Sequence, residues 1–250
     1  MKKPYIKKIG NFSKYKVWYV NGYWIRKNLD RSFPNYGSHE TYSFIAKDEF
    51  WIDKENGKRE SKYIIINFLA FKKELEKGGS YDDAIRIASK VERRERHKLK
   101  WVKKLREIKI REKLLRRIHK KKIFTKYCKN LSIWVVRGDI VRSLFDVDFN
   151  QGGHDLVYKF IPKNNVWIDD DLYKKEVPYV LIHELHERAL MAKGWKYDDV
   201  GIGKFERKKG DFKKYAHPAS EDLEYWCRNH PKSIMRVLLK AIKDNEKFMK

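Results

Sequence analysis

The sequence predicts an α+β protein made by tandem duplication of a small domain. Each copy is expected to hold short antiparallel strands followed by two helices, and a long basic helix joins the copies. Three observations lead there. The first is self-similarity at one offset. Trp18-Tyr-Val-Asn-Gly22-Tyr-Trp-Ile-Arg26 resembles Trp134-Val-Val-Arg-Gly138-Asp-Ile-Val-Arg142. The spacing persists from Asp30/Asp146, Phe33/Phe149 and Phe44-Ile45/Phe160-Ile161 to Trp51-Ile-Asp53/Trp167-Ile-Asp169 and Tyr81-Asp-Asp83/Tyr197-Asp-Asp199. Matches sustained at one spacing mark a repeated unit. One slip of a single residue sets Gly37-Ser-His39 against Gly152-Gly-His154. The second observation is that short β-branched and aromatic runs, bounded by Gly, Asn and Pro, give way to apolar residues at helical spacing. The third is a stretch from Ser80 to Arg137 with neither Gly nor Pro.

Each copy reads in the same order. A strand, a turn at Gly22 or Gly138 and a second strand form a hairpin. The run Asn150-Gln-Gly-Gly-His154 reads as a loop, and Tyr158–Ile161 and Val166–Ile168 as strands parted by the turn Pro162-Lys-Asn-Asn165. Pro178 to Gly194 follows as a helix with Gly194 at its C-terminal cap. A second helix starts near Tyr81 in copy one. In copy two an insertion, 201–210, reads as a loop and delays that helix to Ala216, with Pro218 in its first turn. A last helix runs from Pro231 to about Phe248, with Ile234, Val237, Leu238, Ala241 and Ile242 on one face. The expected boundaries are 1–92 for a first copy without ligands, 93–126 for the basic helix and 127–250 for the second copy.

Composition narrows the function classes. Hydrophobic residues make up 42% and aromatics 14% of the 250 residues, enough for a packed core. The net charge of +25 points to an anionic partner, nucleic acid or another polyanion. Between 93 and 122 stand sixteen Lys or Arg against Glu95, Glu107 and Glu112, with Leu99, Val102, Leu105, Ile108, Leu115 and Ile118 as an apolar stripe. The polyanion-binding candidates are Arg93, Arg94, Arg96, Lys100, Lys103, Lys104, Arg116, Arg117, Lys120, Lys121 and Lys122; the plainer reading is a solvated connector. Cys128 and Cys227 have no framework spacing. There is no signal-peptide core and no apolar run long enough to span a bilayer, so no membrane association and a cytoplasmic location are expected, in a host cytoplasm if the chain is viral.

The chemistry concentrates in His183-Glu-Leu-His-Glu187. On a helix, His183 and Glu187 share a face one turn apart, with Glu184 beside them, while Leu181, Ile182, Leu185 and Ala189 point to the other side. Imidazole and carboxylate are zinc ligands, and a neighbouring Glu can act as general base. The expected ligands of Zn2+ or another divalent metal are His183, Glu187 and His217, with Glu184 catalytic. His186, His154, Glu221 and Glu224 are reserves or orienting groups. The first copy is an internal control: Asn67, Phe68, Ala70, Phe71 and Ile85 stand where His183, Glu184, His186, Glu187 and His217 stand in the second. His39, kept in the copy without ligands, argues for a loop-structural role at His154. Asp169-Asp-Asp171 reads as a strand end and helix-start cluster rather than a cation site.

The motifs Phe149-x-x-Gly-Gly-His154, Phe160-Ile-Pro-x-x-x-Val-Trp-Ile-Asp169, His183-Glu-x-x-Glu-Arg188-x-x-Met191-x-x-Gly194-x-x-Tyr197 and Ala216-His217 resemble a zincin-like family of phage and prophage genomes. The resemblance covers about Ile133 to Glu224 and implies a metal-dependent peptidase fold acting on a peptide or amide bond. The chain departs from the pattern where the insertion splits Tyr197 from Ala216-His217 and where Pro218 follows the His. The competing class is a non-enzymatic nucleic-acid-binding or virion-associated protein with a structural metal site or none.

Overall fold

The computed structural model describes residues 4–197 and 215–249. The fold is mixed α+β and falls into two compact units. The first holds the described residues up to Ile118 together with Gly138–Asn150, and the second holds His119–Arg137 and the chain from Gln151 onward. The insertion at 201–210 lies outside the described residues.

In the first unit, β1 (Tyr5–Phe12) and β2 (Tyr15–Val20) make an antiparallel hairpin. Its turn is tightened by Ser13 at φ 54°. Helix α1 (Gly22–Asn28) follows, then β3 (Tyr36–Ser38), β4 (Glu49–Asp53) and α2 (Ser61–Glu76). The sheet order is β1-β2-β4-β3, with β2 and β4 parallel and β3 antiparallel to β4. Tyr15, Val17, Phe50 and Ile52 of the sheet pack against Ile64, Ile65 and Phe68 of α2. Phe50 and Phe68 stack with ring centroids 3.9 Å apart. Each such side chain taken from water contributes about 1.5–3 kcal/mol.

The second unit has β5 (His119–Ile123), β6 (Ser132–Val136), β7 (Gly152–His154), β8 (Asn165–Asp169) and α7 (Val177–Ala192). Its sheet order, β5-β6-β8-β7, has the same pattern of parallel and antiparallel pairs. Trp18 pairs with Trp51 in one sheet and Trp134 with Trp167 in the other. Helix α8 (Ala216–Asn229), a 3-10 turn (Pro231–Ser233) and α9 (Ile234–Glu246) complete the unit, with α8 and α9 packed on α7. Leu238, Ala241 and Ile242 are buried, as their spacing predicted.

Several expectations are corrected. Gly22 and Gly138 do not turn a hairpin; they open the helices α1 and α6 (Gly138–Leu144). The Asn21 side chain caps α1 by accepting the Trp24 N–H at 2.9 Å, so Asn-Gly here starts a helix. Gly22 is glycine because a Cβ there would stand 1.9 Å from Asp53 Oδ2. Gly152–His154 is a strand rather than a loop, and Tyr158–Ile161 is a run of turns. The basic stretch is not one long helix. It holds the end of α3 (Tyr81–His97), then α4 (Lys100–Arg106), α5 (Arg111–Ile118) and strand β5. Leu99 is extended (ψ 131°) and ends the helical run, which lets Val102 and Ile118 both reach buried positions. The boundaries at 92 and 126 therefore do not coincide with the compact units, and α6 belongs to the first unit. No described helix is long and apolar enough to cross a membrane.

Candidate metal centre

Helix α7 is buried on nearly every side. Leu181, Ile182 and Leu185 are fully buried on its core face. His183 and Glu187 are buried too, at 8% and 3% exposure, which rules out a solvated charged face for this pair. The helix ends in a Schellman-type cap: Gly194, at φ 89°, donates to Met191 O, and Trp195 donates to Leu190 O.

Three elements converge on Glu187. From α7, His183 Nε2 lies 3.3 Å from Glu187 Oε2. From α8, His217 Nδ1 lies 2.6 Å from the same oxygen and 3.1 Å from His183 Nε2. From β7, His154 Nε2 lies 2.9 Å from Glu187 Oε1. The first three atoms form one tight donor set, His183, Glu187 and His217. Tetrahedral zinc with ligands at about 2.0–2.1 Å has ligand–ligand edges of about 3.3 Å, so two edges already match and the third must open by several tenths.

The second bond of each imidazole sets its role. Leu156 N–H donates to His154 Nδ1 at 3.2 Å, so Nδ1 holds a lone pair and Nε2 carries the proton it gives to Glu187. His154 is thus an orienting donor to the carboxylate. A grouping of His154, Glu184 and Glu187 within metal-binding distance also exists. It would require His154 to face the Leu156 N–H with a proton, and we reject it as a ligand set. His183 Nδ1 lies 3.1 Å from Glu224 Oε2 and donates to it, which leaves Nε2 as the atom aimed at Glu187 and His217. His217 Nε2 has Glu221 Oε1 at 3.8 Å, an electrostatic neighbour beyond hydrogen-bond reach.

No family model, characterised protein or solved structure matches this chain. The functional reading therefore rests on the residues and their geometry.

The charges are mutually dependent. Burial disfavours a charged His183, but its bonds to Glu187 and Glu224 outweigh that and raise its pKa well above the ordinary histidine value. Burial likewise opposes ionisation of Glu187, and the bonds from His154, His183 and His217 overcome it and hold the carboxyl well below its usual range. Burial also works against Glu224, whose pKa His183 and Arg228 nevertheless bring down to about 2. Burial first, then the Glu187 charge, push Glu184 up to about 8 against the opposing pull of His183 and His217. It sits against the backbone at Gly152, where a Cβ would stand 3.2 Å from Glu184 Cγ.

His186 does not join the donor set; its Nδ1 lies 3.1 Å from Ser220 Oγ, and burial pulls its pKa down to about 4. His154 is corrected from a loop-structural role. Strand pairing sets His154 opposite Val166 and Ser38 opposite Phe50, so Ser38 and not His39 is its counterpart. His39 instead bonds Ile45 O at 2.7 Å in its own loop. Of the basic candidates, Arg96 is buried at 1% exposure in ion pairs with Glu60 and Glu92 and is withdrawn as a polyanion contact. Arg93, Arg94, Lys100, Lys103, Lys104, Arg116 and Arg117 are exposed in the first unit, and Lys120, Lys121 and Lys122 are exposed on β5. Lys120 is paired with Asp170 at 3.0 Å. Sequence reasoning missed Arg228 and Glu176, which bond each other at 2.5 Å behind Glu224. The signal was present in the repeat, where Arg96 and Glu60 occupy the matching positions.

Proposed function

We propose that the second unit is a divalent-metal hydrolase centre, with zinc the preferred ion. His183 Nε2, Glu187 Oε2 and His217 Nδ1 are its ligands. The observation that carries this reading is the convergence of those atoms in a buried site, where the bonds of His183 Nδ1 to Glu224 and of Glu187 Oε1 to His154 leave Nε2 and Oε2 facing His217 Nδ1. Three protein ligands leave a coordination position open, the pattern of a catalytic rather than a structural site. The chemistry such a cation supplies is Lewis acidity and a water acidified towards neutral pH. Beside such a cation Glu184 would be placed as the general base, able to hold a proton taken from water and pass it to a leaving group. A pKa raised by burial suits that exchange, and a neighbouring dication would favour its ionised form. The preference for a peptide or amide bond, and a viral or prophage origin, rest on the motif resemblance alone.

This reading includes descent of the two units from one domain by duplication. Matching strand order and helix bounds support it, with α2 and α7 each 16 residues long at the same offset as the sequence repeat. The first unit then kept the scaffold and lost the ligands. Metal content of the purified protein is the first test, with one zinc per chain expected. Glu184→Gln should keep the metal and abolish hydrolysis of peptide substrates. A protein that takes up no divalent metal would overturn the proposal.

A second reading is favoured by a separate observation. Of the thirteen Lys and Arg residues between 93 and 117, all in the first unit, twelve are exposed. Such a surface suits the phosphate backbone of nucleic acid. Binding of DNA or RNA should weaken steeply with added salt, and neutralising Lys103, Lys104, Arg116 and Arg117 should reduce that slope. Salt-independent binding would return this surface to a solvated connector.

A further inference from the structure

A buried set of side chains occurs twice. In the second unit Arg228 lies between two carboxylates: its Nη2 bonds Glu176 Oε2 at 2.5 Å, and its Nε bonds Glu224 Oε1 at 3.1 Å. The guanidinium also covers the Tyr179 ring, 4.5 Å from its centroid. The far oxygen of Glu224 holds His183 Nδ1 at 3.1 Å. In the first unit Arg96 bonds Glu60 through Nη2, bonds Glu92 Oε1 through Nε at 2.8 Å, and covers Tyr63 at 4.2 Å. The far oxygen of Glu92 takes the Asn67 amide at 2.9 Å. Asn67 stands where His183 stands, and it presents an N–H to the same carboxylate position.

Buried ion clusters are often no more stabilising than apolar residues of the same shape. Their retention in both units calls for another role. The first unit shows that the arrangement stands with no imidazole at all, so it is built by the fold and not by a ligand. Where the donor set would sit, the first unit is filled instead by Phe71 and Ile85, in an apolar cluster with Ala84 and Ala88.

Resting on the metal-centre reading above, we infer that the Glu176–Arg228–Glu224 cluster is a preformed positioning frame that fixes His183 with Nε2 facing the metal, and that the first unit carries the same frame as a latent metal site plugged by Phe71 and Ile85. Glu224 is a positioning residue acting through His183. A carboxylate accepting Nδ1–H selects one tautomer and stops the ring from rotating, and loss of such a partner costs about 10–100-fold in metal affinity.

Two experiments on the full chain test this. The first measures zinc affinity by competition with a chromogenic chelator. Glu224→Gln should weaken binding about 10–100-fold, and Glu224→Asp should recover part of the loss. Thermal unfolding of the metal-free variants should stay cooperative, which separates lost positioning from a collapsed unit. An affinity equal to wild type in Glu224→Gln overturns the frame. The second opens the latent site with Asn67→His, Phe71→Glu and Ile85→His together. The folded triple variant should bind two zinc ions per chain where the wild type binds one. A folded triple variant that still binds one overturns the latent site while leaving the second unit's centre intact; a wild type that binds none overturns the centre itself. If the triple variant does not fold, Asn67→His with Ile85→His, both at partly buried positions, replaces it, and a folded double variant that takes up no second zinc overturns the latent site.

Discussion

Glu184 makes the metal-free second unit sensitive to pH in a direction opposite to most carboxylates. Its pKa rises from an ordinary 4.5 to about 8, first through burial and then through the Glu187 charge. A carboxyl raised in the folded state binds its proton there after the unfolded chain has released it. The folded state then holds more protons, and stability falls as pH rises from the unfolded pKa towards the folded one. For a wholly dry group, the linkage between about pH 5 and about pH 8 integrates to about 3–4 kcal/mol. Glu184 is only partly shielded from water by its neighbours, and screening leaves about 2 kcal/mol. Glu184→Gln removes this dependence and nothing of the shape. Native-state hydrogen exchange of the α7 amides, in the presence of chelator, reads the opening free energy of that helix directly. Wild-type protection should fall by about 2 kcal/mol more than that of Glu184→Gln across this range. His183 and Glu187 titrate in both proteins, so the difference between the curves reports Glu184 together with its coupling to them. Added zinc should flatten the wild-type curve, because a dication favours the ionised carboxylate. Parallel curves for the two proteins would refute the argument that Glu184 is held protonated by its surroundings.

Other outcomes follow from single contacts. Arg188 bonds Asp155 at 2.6 and 3.2 Å, Asn164 at 3.1 Å and Asn245 at 3.0 Å, tying α7 to a loop and to α9. Arg188→Met leaves Asp155 buried without its counter-charge and should destabilise the second unit by about 3–5 kcal/mol, read by urea unfolding. Gly22→Ala drives a methyl into Asp53, which bonds Arg26 at 2.9 Å, and should cost the first unit about 3 kcal/mol or more; an unchanged urea midpoint would refute the close approach. Gly194→Ala meets no neighbour within 4 Å but must hold φ near 89°, so a cost of about 1 kcal/mol is expected, measured by exchange at the end of α7.

Much of the centre was legible in the chain because helical periodicity is a local property. His183 and Glu187 must share a face once α7 forms, and the repeat marked them as residues one copy has and the other lacks. The expectation that His217 would come close to them followed from the helix expected beside α7, and α8 does bring its Nδ1 within 3.1 Å of His183 Nε2. The hairpin misassigned at Gly22 shows the limit of local signals. Asn-Gly serves both a tight turn and a helix cap, and only the Trp24 N–H bonded to Asn21 decides between them. The unbroken basic helix failed similarly. Nothing in its composition forbids a helix through Leu99, and the breaks exist so that Val102 and Ile118 can be buried.

The sequence by itself determined the mixed α+β class, its own internal self-similarity, the shared helical face of His183 and Glu187 and the basic stretch, since each depends on residue type and spacing along the chain. Only the tertiary structure decided what the side chains do across it. Leu156, on the loop after β7, sets the tautomer of His154; Glu224, 41 residues beyond His183 in the chain, orients His183; strand register made Ser38 the counterpart of His154. Proton positions and ligand roles depend on the second partner of each ring, and those partners meet only when distant segments pack.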